Sequence, residues 1–227
     1  MPLLDHFRPP VRNVLQWNSF HSAWLATLAT DLNTLLPPHF FAEPSARFGI
    51  EVDVAALERM GDPSADATVP FAVATDALEV LVYEDASGEM RLVGAVELVS
   101  PANKDRPDSR EAFVTKCREY LHRGLGLVVA DVVTERRANL HNQLMTAIGR
   151  PEQVVAAELY AVGYRPTGGN GSGTLSLWPH TLVVGESLPA EVPFWLWGGV
   201  CVPVRLNETY ETTLRQLKVA ARLNPPR

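Results

Sequence analysis

Residues 92–104 decide the reading of the fold. They run Leu92-Val93-Gly94-Ala95-Val96-Glu97-Leu98-Val99-Ser100-Pro101-Ala102-Asn103-Lys104. An apolar run of this length, rich in Val and Leu, reads as a strand with little solvent on it, and it ends in a polar loop marked by Pro101. Upstream lies a second β-rich run, Leu78-Glu79-Val80-Leu81-Val82-Tyr83. The linker between them, residues 84–89, is polar and carries Gly88, so the two runs form a hairpin. Downstream, Pro107 precedes Asp108, with Glu111 three residues on, a capping-box start for a helix. Phe113, Cys117, Tyr120 and Leu121 make that helix's apolar stripe, and Gly124 ends it. Leu125 to Val133 is nearly all apolar, as expected of a strand covered on both faces.

The rest of the chain is arranged around this unit. Residues 1–16 hold three prolines and read as an arm on the body. Asn18 or Ser19 caps a helix whose apolar residues recur from Trp17 to Leu36, and Pro37-Pro38 stops it. Residues 40–57 read as extended chain with a break near Gly49, and residues 59–71 as a surface loop. Residues 135–148 look helical. Residues 159–164 and 174–184 look like strands around the glycine cluster at 168–173. That cluster lacks the Gly-Lys-Ser/Thr ending of a phosphate loop and opens a strand, so a hairpin turn is expected. A last apolar segment, 192–206, turns at Gly198-Gly199 before a helix over 208–223. The predicted class is α/β, bordering on α+β: a mixed central sheet flanked by helices, one domain over 17–227 behind the arm.

Composition narrows the function. The 227 residues carry a net charge of −6 and a pI near 5.5, which excludes a broad polybasic nucleic-acid binder. Charge is uneven, however. Residues 104–137 hold eight Lys/Arg against six Asp/Glu, so this segment is net positive on an acidic body. Two cysteines, Cys117 and Cys201, are too few for a disulfide framework or a Cys-rich zinc site. No apolar run approaches the ~20 residues of a membrane helix, and the first residues lack the pattern of a signal peptide. A cytoplasmic protein, not bound to a membrane, is the expectation.

The informative residues are carboxylates inside apolar strands. An ionised carboxylate without a partner costs several kcal/mol to bury, so such residues need a cation, a metal or a hydrogen-bond cage. Glu97 and Asp131 are of this kind, as is Asp53, which shares a strand face with Glu51. Glu97 is followed at once by Lys104, Arg106, Arg110 and Lys116. Acids at a strand end beside a lysine suit metal-assisted phosphodiester hydrolysis: the acids hold Mg²⁺ and the lysine steadies the attacking water. His21 lies at the edge of the first helix's apolar stripe and reads as a core histidine. Cys117 reads as packing.

The run Glu97-Leu98-Val99-Ser100-Pro101-Ala102-Asn103-Lys104 resembles the E-x-x-S-P-x-N-K signature of a bacterial domain-of-unknown-function family. Arg110, Phe113 and Lys116 match its R-x-x-[YF]-x-x-K, and the strand ending at Asp131 also matches. So do Trp17, Phe20 and His21 upstream and Val192-Pro193-Phe194 downstream. That family in turn resembles the restriction-endonuclease-like PD-(D/E)XK phosphodiesterases. The resemblance implies a core of helix, three strands, helix and strand. It implies Asp53 and Glu97 as Mg²⁺ ligands, aided by Glu51, and nucleic acid as partner. The chain departs from the superfamily motif at Val52, where proline is usual, and at Val99, where the lysine is usual. The catalytic lysine is then Lys104 or Lys116, with Arg110, Asn103, Asp131 and His21 in supporting roles. A homodimer is compatible with the sequence.

Two readings follow. In one, the chain is a Mg²⁺-dependent nuclease-like enzyme, active or vestigial. In the other, it is a non-catalytic binding or scaffold protein in which Glu97, Lys104, Arg110, Lys116 and Asp131 form a buried ion-pair network.

Overall fold

The computed structural model describes residues 1–47, 77–86, 88–169 and 172–224. Its centre is a six-stranded sheet in the spatial order of the sequence: β1 (Phe40–Arg47), β2 (Ala77–Ala86), β3 (Glu89–Leu98), β4 (Gly126–Asp131), β5 (Tyr160–Gly169) and β6 (Ser172–Thr181). All neighbours pair antiparallel except β3 and β4. A parallel pair needs a crossover, supplied here by α3 (Pro101–Asp105) and α4 (Pro107–His122). The sheet is therefore mixed and flanked by helices, the predicted α/β class.

Two apolar layers cover the sheet. On one face, β2, β3 and β4 contribute Val80, Val82, Val96, Leu98, Val128 and Ala130. These pack with α2 (Trp17–Leu35), with the β7–β8 ribbon (Val192–Trp195, Cys201–Val204) and with α6 (Leu206–Gln216). On the other face Leu81, Ala95, Val99, Leu127 and Val129 meet α4 and α5 (Leu140–Ala147). The arm lies on this body through buried Leu3, Phe7, Val11 and Leu15, of which Val11 opens the one-turn α1 (Val11–Val14) and Leu15 caps its end. The β7 backbone crosses the sheet where β4 has no side chain. A Cβ on Gly126 would lie 1.7 Å from the Trp195 carbonyl oxygen.

Several expected boundaries move for local reasons. Helix α4 begins at Pro107, whose fixed φ suits the first helical position. Arg106 is therefore the N-cap and Asp108 sits inside the first turn, so Asp108 and Glu111 make no capping box. The capping box belongs to α3: Ser100 accepts from the Asn103 amide, and the Asn103 side chain accepts from the Ser100 amide at 2.8 Å. Helix α5 starts at Leu140 instead of residue 135, because Asn139 caps it by accepting from Asn142 N at 2.9 Å. The C-terminal helix starts at Leu206 and breaks at Lys218, whose φ of 53° lies in the left-handed region, before α7 (Val219–Leu223).

Candidate functional site

Side chains two apart on a strand share a face. Glu97 thus points with Ala95 and Val99 toward α4, and Glu79 points there with Leu81. The β2–β3 register sets Glu79 directly opposite Glu97. Glu79 is 0% exposed and Glu97 2%. From the overlying helix, Lys116 reaches both: its Nζ lies 2.6 Å from Glu97 Oε1 and donates to Glu79 Oε2 at 3.2 Å. Four residues on, and so on the same helix face, the Tyr120 hydroxyl donates to Glu79 Oε2 at 2.8 Å.

Two carboxyls and one ammonium in a dry site leave one negative charge in excess, which favours retention of a proton. Burial is the largest influence on Glu97. With the adjacent Glu79 it pushes the carboxyl up to about 8, against the opposing pull of Lys116. Burial also acts upward on Glu79, but hydrogen bonds from Glu97 and Tyr120 and the Lys116 ammonium leave it below its ordinary value. The pair therefore retains a proton at neutral pH, and burial favours Glu97 as its holder. Burial works against the charged form of Lys116, but the acidic neighbours Glu97 and Glu79 outweigh this and raise its pKa. Burial pushes the Cys117 thiol well up, so Cys117 is a packed, protonated thiol.

A second buried pair lies on the same sheet face, at the end of β4. Lys104 and Asp131 side chains are both 0% exposed, with Lys104 Nζ donating to Asp131 Oδ2 at 2.9 Å and to Val133 O at 3.3 Å. The other Asp131 oxygen accepts from the Val133 amide at 3.0 Å. Burial raises the Asp131 carboxyl to about 6 despite Lys104. Arg110 donates from Nη1 to the carbonyls of Lys104 and Asp105, closing the exposed end of α3. The Ser-Pro-x-Asn-Lys sequence thus builds an elbow. Ser100 and Asn103 cap it, Pro101 starts its helix, Lys104 bolts it to β4 and Arg110 seals its far end.

The structure accordingly separates the two lysines. Lys116 stands with Glu97, and Lys104 stands with Asp131. Asn103 and Arg110 belong to the elbow. His21 is a core histidine on α2, its Nε2 2.8 Å from the Leu98 carbonyl oxygen, and burial lowers its pKa. Glu51 and Asp53 lie outside the described residues. Glu79 was missed by sequence reasoning, although the two-residue spacing from Glu79 to Leu81 already put it on the face of its strand that a packed neighbour would cover.

Among the described residues, no group of three or more His, Cys, Asp and Glu is placed to hold a metal ion, and no helix is long and apolar enough to cross a membrane. No family model, curated protein or solved structure matches the chain.

Proposed function

We propose that the chain is a metal-dependent phosphodiesterase of the nuclease type, built around Glu79, Glu97 and Lys116. The observation that carries this reading is the convergence of one acid from each of two adjacent strands with a lysine from the crossover helix. The element order supports it: α2, then β1 to β3, then α4, then β4 is the helix, three strands, helix and strand implied by the resemblance. Glu79 takes the part first expected of Asp53, and Lys116 the part of the lysine missing at position 99.

The donor set suits Mg²⁺ in kind. Mg²⁺ takes oxygen ligands and commonly binds through one or two carboxylates, and the single excess negative charge that holds a proton on Glu97 would be offset by a cation instead. Glu79 and Glu97 would hold the ion, which when bound polarises a phosphoryl oxygen and acidifies a water. The chain's own contribution is to orient. Tyr120 fixes the Glu79 carboxylate, and the Lys116 ammonium holds negative charge between the two acids. The net-positive segment 104–137 offers the phosphate-facing surface.

A second reading, a non-catalytic scaffold, is favoured by the near-complete burial of both acids and by the separate Lys104–Asp131 pair. The test is cleavage of single- and double-stranded DNA and RNA by purified protein with Mg²⁺ or Mn²⁺, alongside metal-induced stabilisation. The nuclease reading expects metal-dependent cleavage abolished by Glu79→Gln and by Lys116→Met, and a melting temperature raised by metal in the wild type but not in Glu97→Gln. No cleavage and no metal-induced shift would leave the scaffold reading.

A further inference from the structure

The sheet ends in two edge strands, β1 and β6, and only one of them is guarded. β1 carries Glu43, Pro44 and Arg47. Its outward backbone at Ala42 is also occupied by α2: Asn33 Nδ2 donates to the Ala42 carbonyl, and the Ala42 amide donates to Asn33 Oδ1, each at 2.7 Å. Charge, proline and a covering element are the usual protections of an edge. β6 runs Ser-Gly-Thr-Leu-Ser-Leu-Trp-Pro-His-Thr over ten residues, with no Asp, Glu, Lys or Arg.

The outward groups of β6 follow from its register. The Leu182 amide donates to the Leu159 carbonyl at 3.0 Å, and the ladder continues with Tyr160 opposite Thr181. Antiparallel pairs alternate between bonded and non-bonded. His180, Trp178, Ser176 and Thr174 therefore turn their N–H and C=O groups to β5. Gly173, Leu175, Leu177, Pro179 and Thr181 turn theirs outward. Pro179, with no N–H to lose, falls in this outward set, as edge prolines do. From Gly173 to Leu177 the outward amides and carbonyls have no partner among the described residues.

The side chains of this stretch are equally specific. Leu175 and Leu177 lie on the face under α4 and α5, where they border a groove of about 890 Å³ with Leu121, Met145 and Ile148. Thr174 and Ser176 are exposed on the opposite face.

We propose that β6 pairs antiparallel with β6 of a second copy of this chain, about a two-fold axis near Leu175 and Ser176. A two-fold axis normal to the sheet relates antiparallel neighbours, so one edge is complementary to itself and the contact closes at two chains. The same axis keeps each sheet face on its own side. The leucines of the two copies stand side by side and continue the apolar lining of both grooves. On the other face the Thr and Ser hydroxyls of the two copies meet, a favourable cross-strand combination. Chains of net charge −6 repel one another, and an uncharged strand is where two copies approach with least opposition. Pro179 ends the ladder on each side, so the contact is short and its affinity modest. The Glu79–Glu97–Lys116 cluster lies on β2, β3 and α4, away from this edge, so the dimer is independent of the activity proposed above.

The test is sedimentation equilibrium between about 1 and 300 μM, a range that covers modest affinities. The mass should rise from 24.9 kDa to twice that value. Over the same range, hydrogen exchange of the Leu175 and Leu177 amides in the wild type should slow as concentration rises. Ser176 is exposed and its backbone bonds run to β5, so Ser176→Lys and Ser176→Glu should keep the wild-type circular dichroism. Each sets like charges beside one another across the axis and should weaken association about fivefold or more. Mixing the two variants brings opposite charges together and should restore a dimer, a gain that misfolding cannot imitate. A wild-type chain that stays monomeric with unprotected Leu175 and Leu177 amides would overturn the proposal. So would a dimer of equal strength in both variants, or masses that grow beyond two chains without limit.

Discussion

Replacing Glu97 by glutamine should leave the protein at least as stable as the wild type at pH 8, although the substitution falls in a buried ionic cluster. Burial pushes the Glu97 carboxyl from its ordinary 4.5 up to about 8. Between those values the folded protein keeps a proton that the unfolded chain has released. The Glu97 contribution to stability is therefore full below pH 4.5 and is lost as pH rises through the window toward 8. At about 1.4 kcal/mol for each pH unit between the two values, the loss has an upper bound of about 5 kcal/mol. The opposite effect of Glu79, whose carboxyl is depressed, acts below its own ordinary value and so outside this window. Glutamine copies the protonated acid. Its amide can donate to Glu79, its carbonyl can accept from Lys116, and it releases no proton in the unfolded chain.

Urea unfolding followed by circular dichroism at pH 5, 6, 7 and 8 reads the difference directly. The Asp131 contribution is common to both proteins and cancels in the comparison. The gap should open in favour of Glu97→Gln as pH rises. Glu79→Gln should behave in the opposite way. It takes the ionised partner from a largely buried ammonium, which costs about 3–5 kcal/mol. A Glu97→Gln protein that is less stable than the wild type by more than about 1 kcal/mol at pH 8, about the worth of one hydrogen bond, would refute the placement of the proton on Glu97. So would a stability gap that is flat from pH 5 to 8.

Other consequences are as specific. Lys104→Met should destabilise the fold by about 3–5 kcal/mol by stranding Asp131, and adding Asp131→Leu should return much of that loss; a double-mutant cycle in urea measures both. Gly126→Ala should cost more than about 3 kcal/mol, since its Cβ would collide with a backbone carbonyl that only a shift of β7 could clear, and circular dichroism of the purified protein checks it. Asn103→Ala, which removes the side-chain half of the α3 capping box and keeps the backbone amide that donates to Ser100, should cost about 1 kcal/mol by thermal melting.

Much of the fold is legible because its signals are local. The apolar run 92–99, the stripe of α4 and the continuous run 125–133 each follow from period and end residues, and together they imply the β3–α4–β4 crossover. Less legible are features that depend on partners distant in sequence. Nothing near Gly126 reveals that β7 will cross it, because that contact joins segments about 70 residues apart. Asp108 and Glu111 have capping-box spacing, yet Pro107 fixes an earlier helix start and removes their role. Ser100 and Asn103 form the real box with Asn in the place where Glu or Gln is the usual signal. The Ser-Pro-x-Asn-Lys signature reads as chemistry because a basic residue follows an acid. In three dimensions its own lysine turns away to Asp131, and the acid is met by a lysine one helix further on.

The meeting of Glu79 with Glu97 depends on a single residue of register. The β2–β3 hairpin starts with Ala86 opposite Glu89 and continues regularly to Tyr83 opposite Leu92. Extended without interruption, that ladder would set Glu79 opposite Val96, a residue whose side chain faces α2. A one-residue irregularity between Val82 and Tyr83 moves the pairing to Val82 opposite Gly94, and from there Glu79 falls opposite Glu97. Because side chains alternate with a period of two, a one-residue slip exchanges the faces of an entire strand. The extra residue is Val93 in β3, while β2 keeps its alternation. The irregularity brings Glu97 onto the face under α4 that Glu79 already shares with Leu81, where Lys116 and Tyr120 wait at helical spacing. A substitution that regularised the hairpin would separate the two acids without touching either of them.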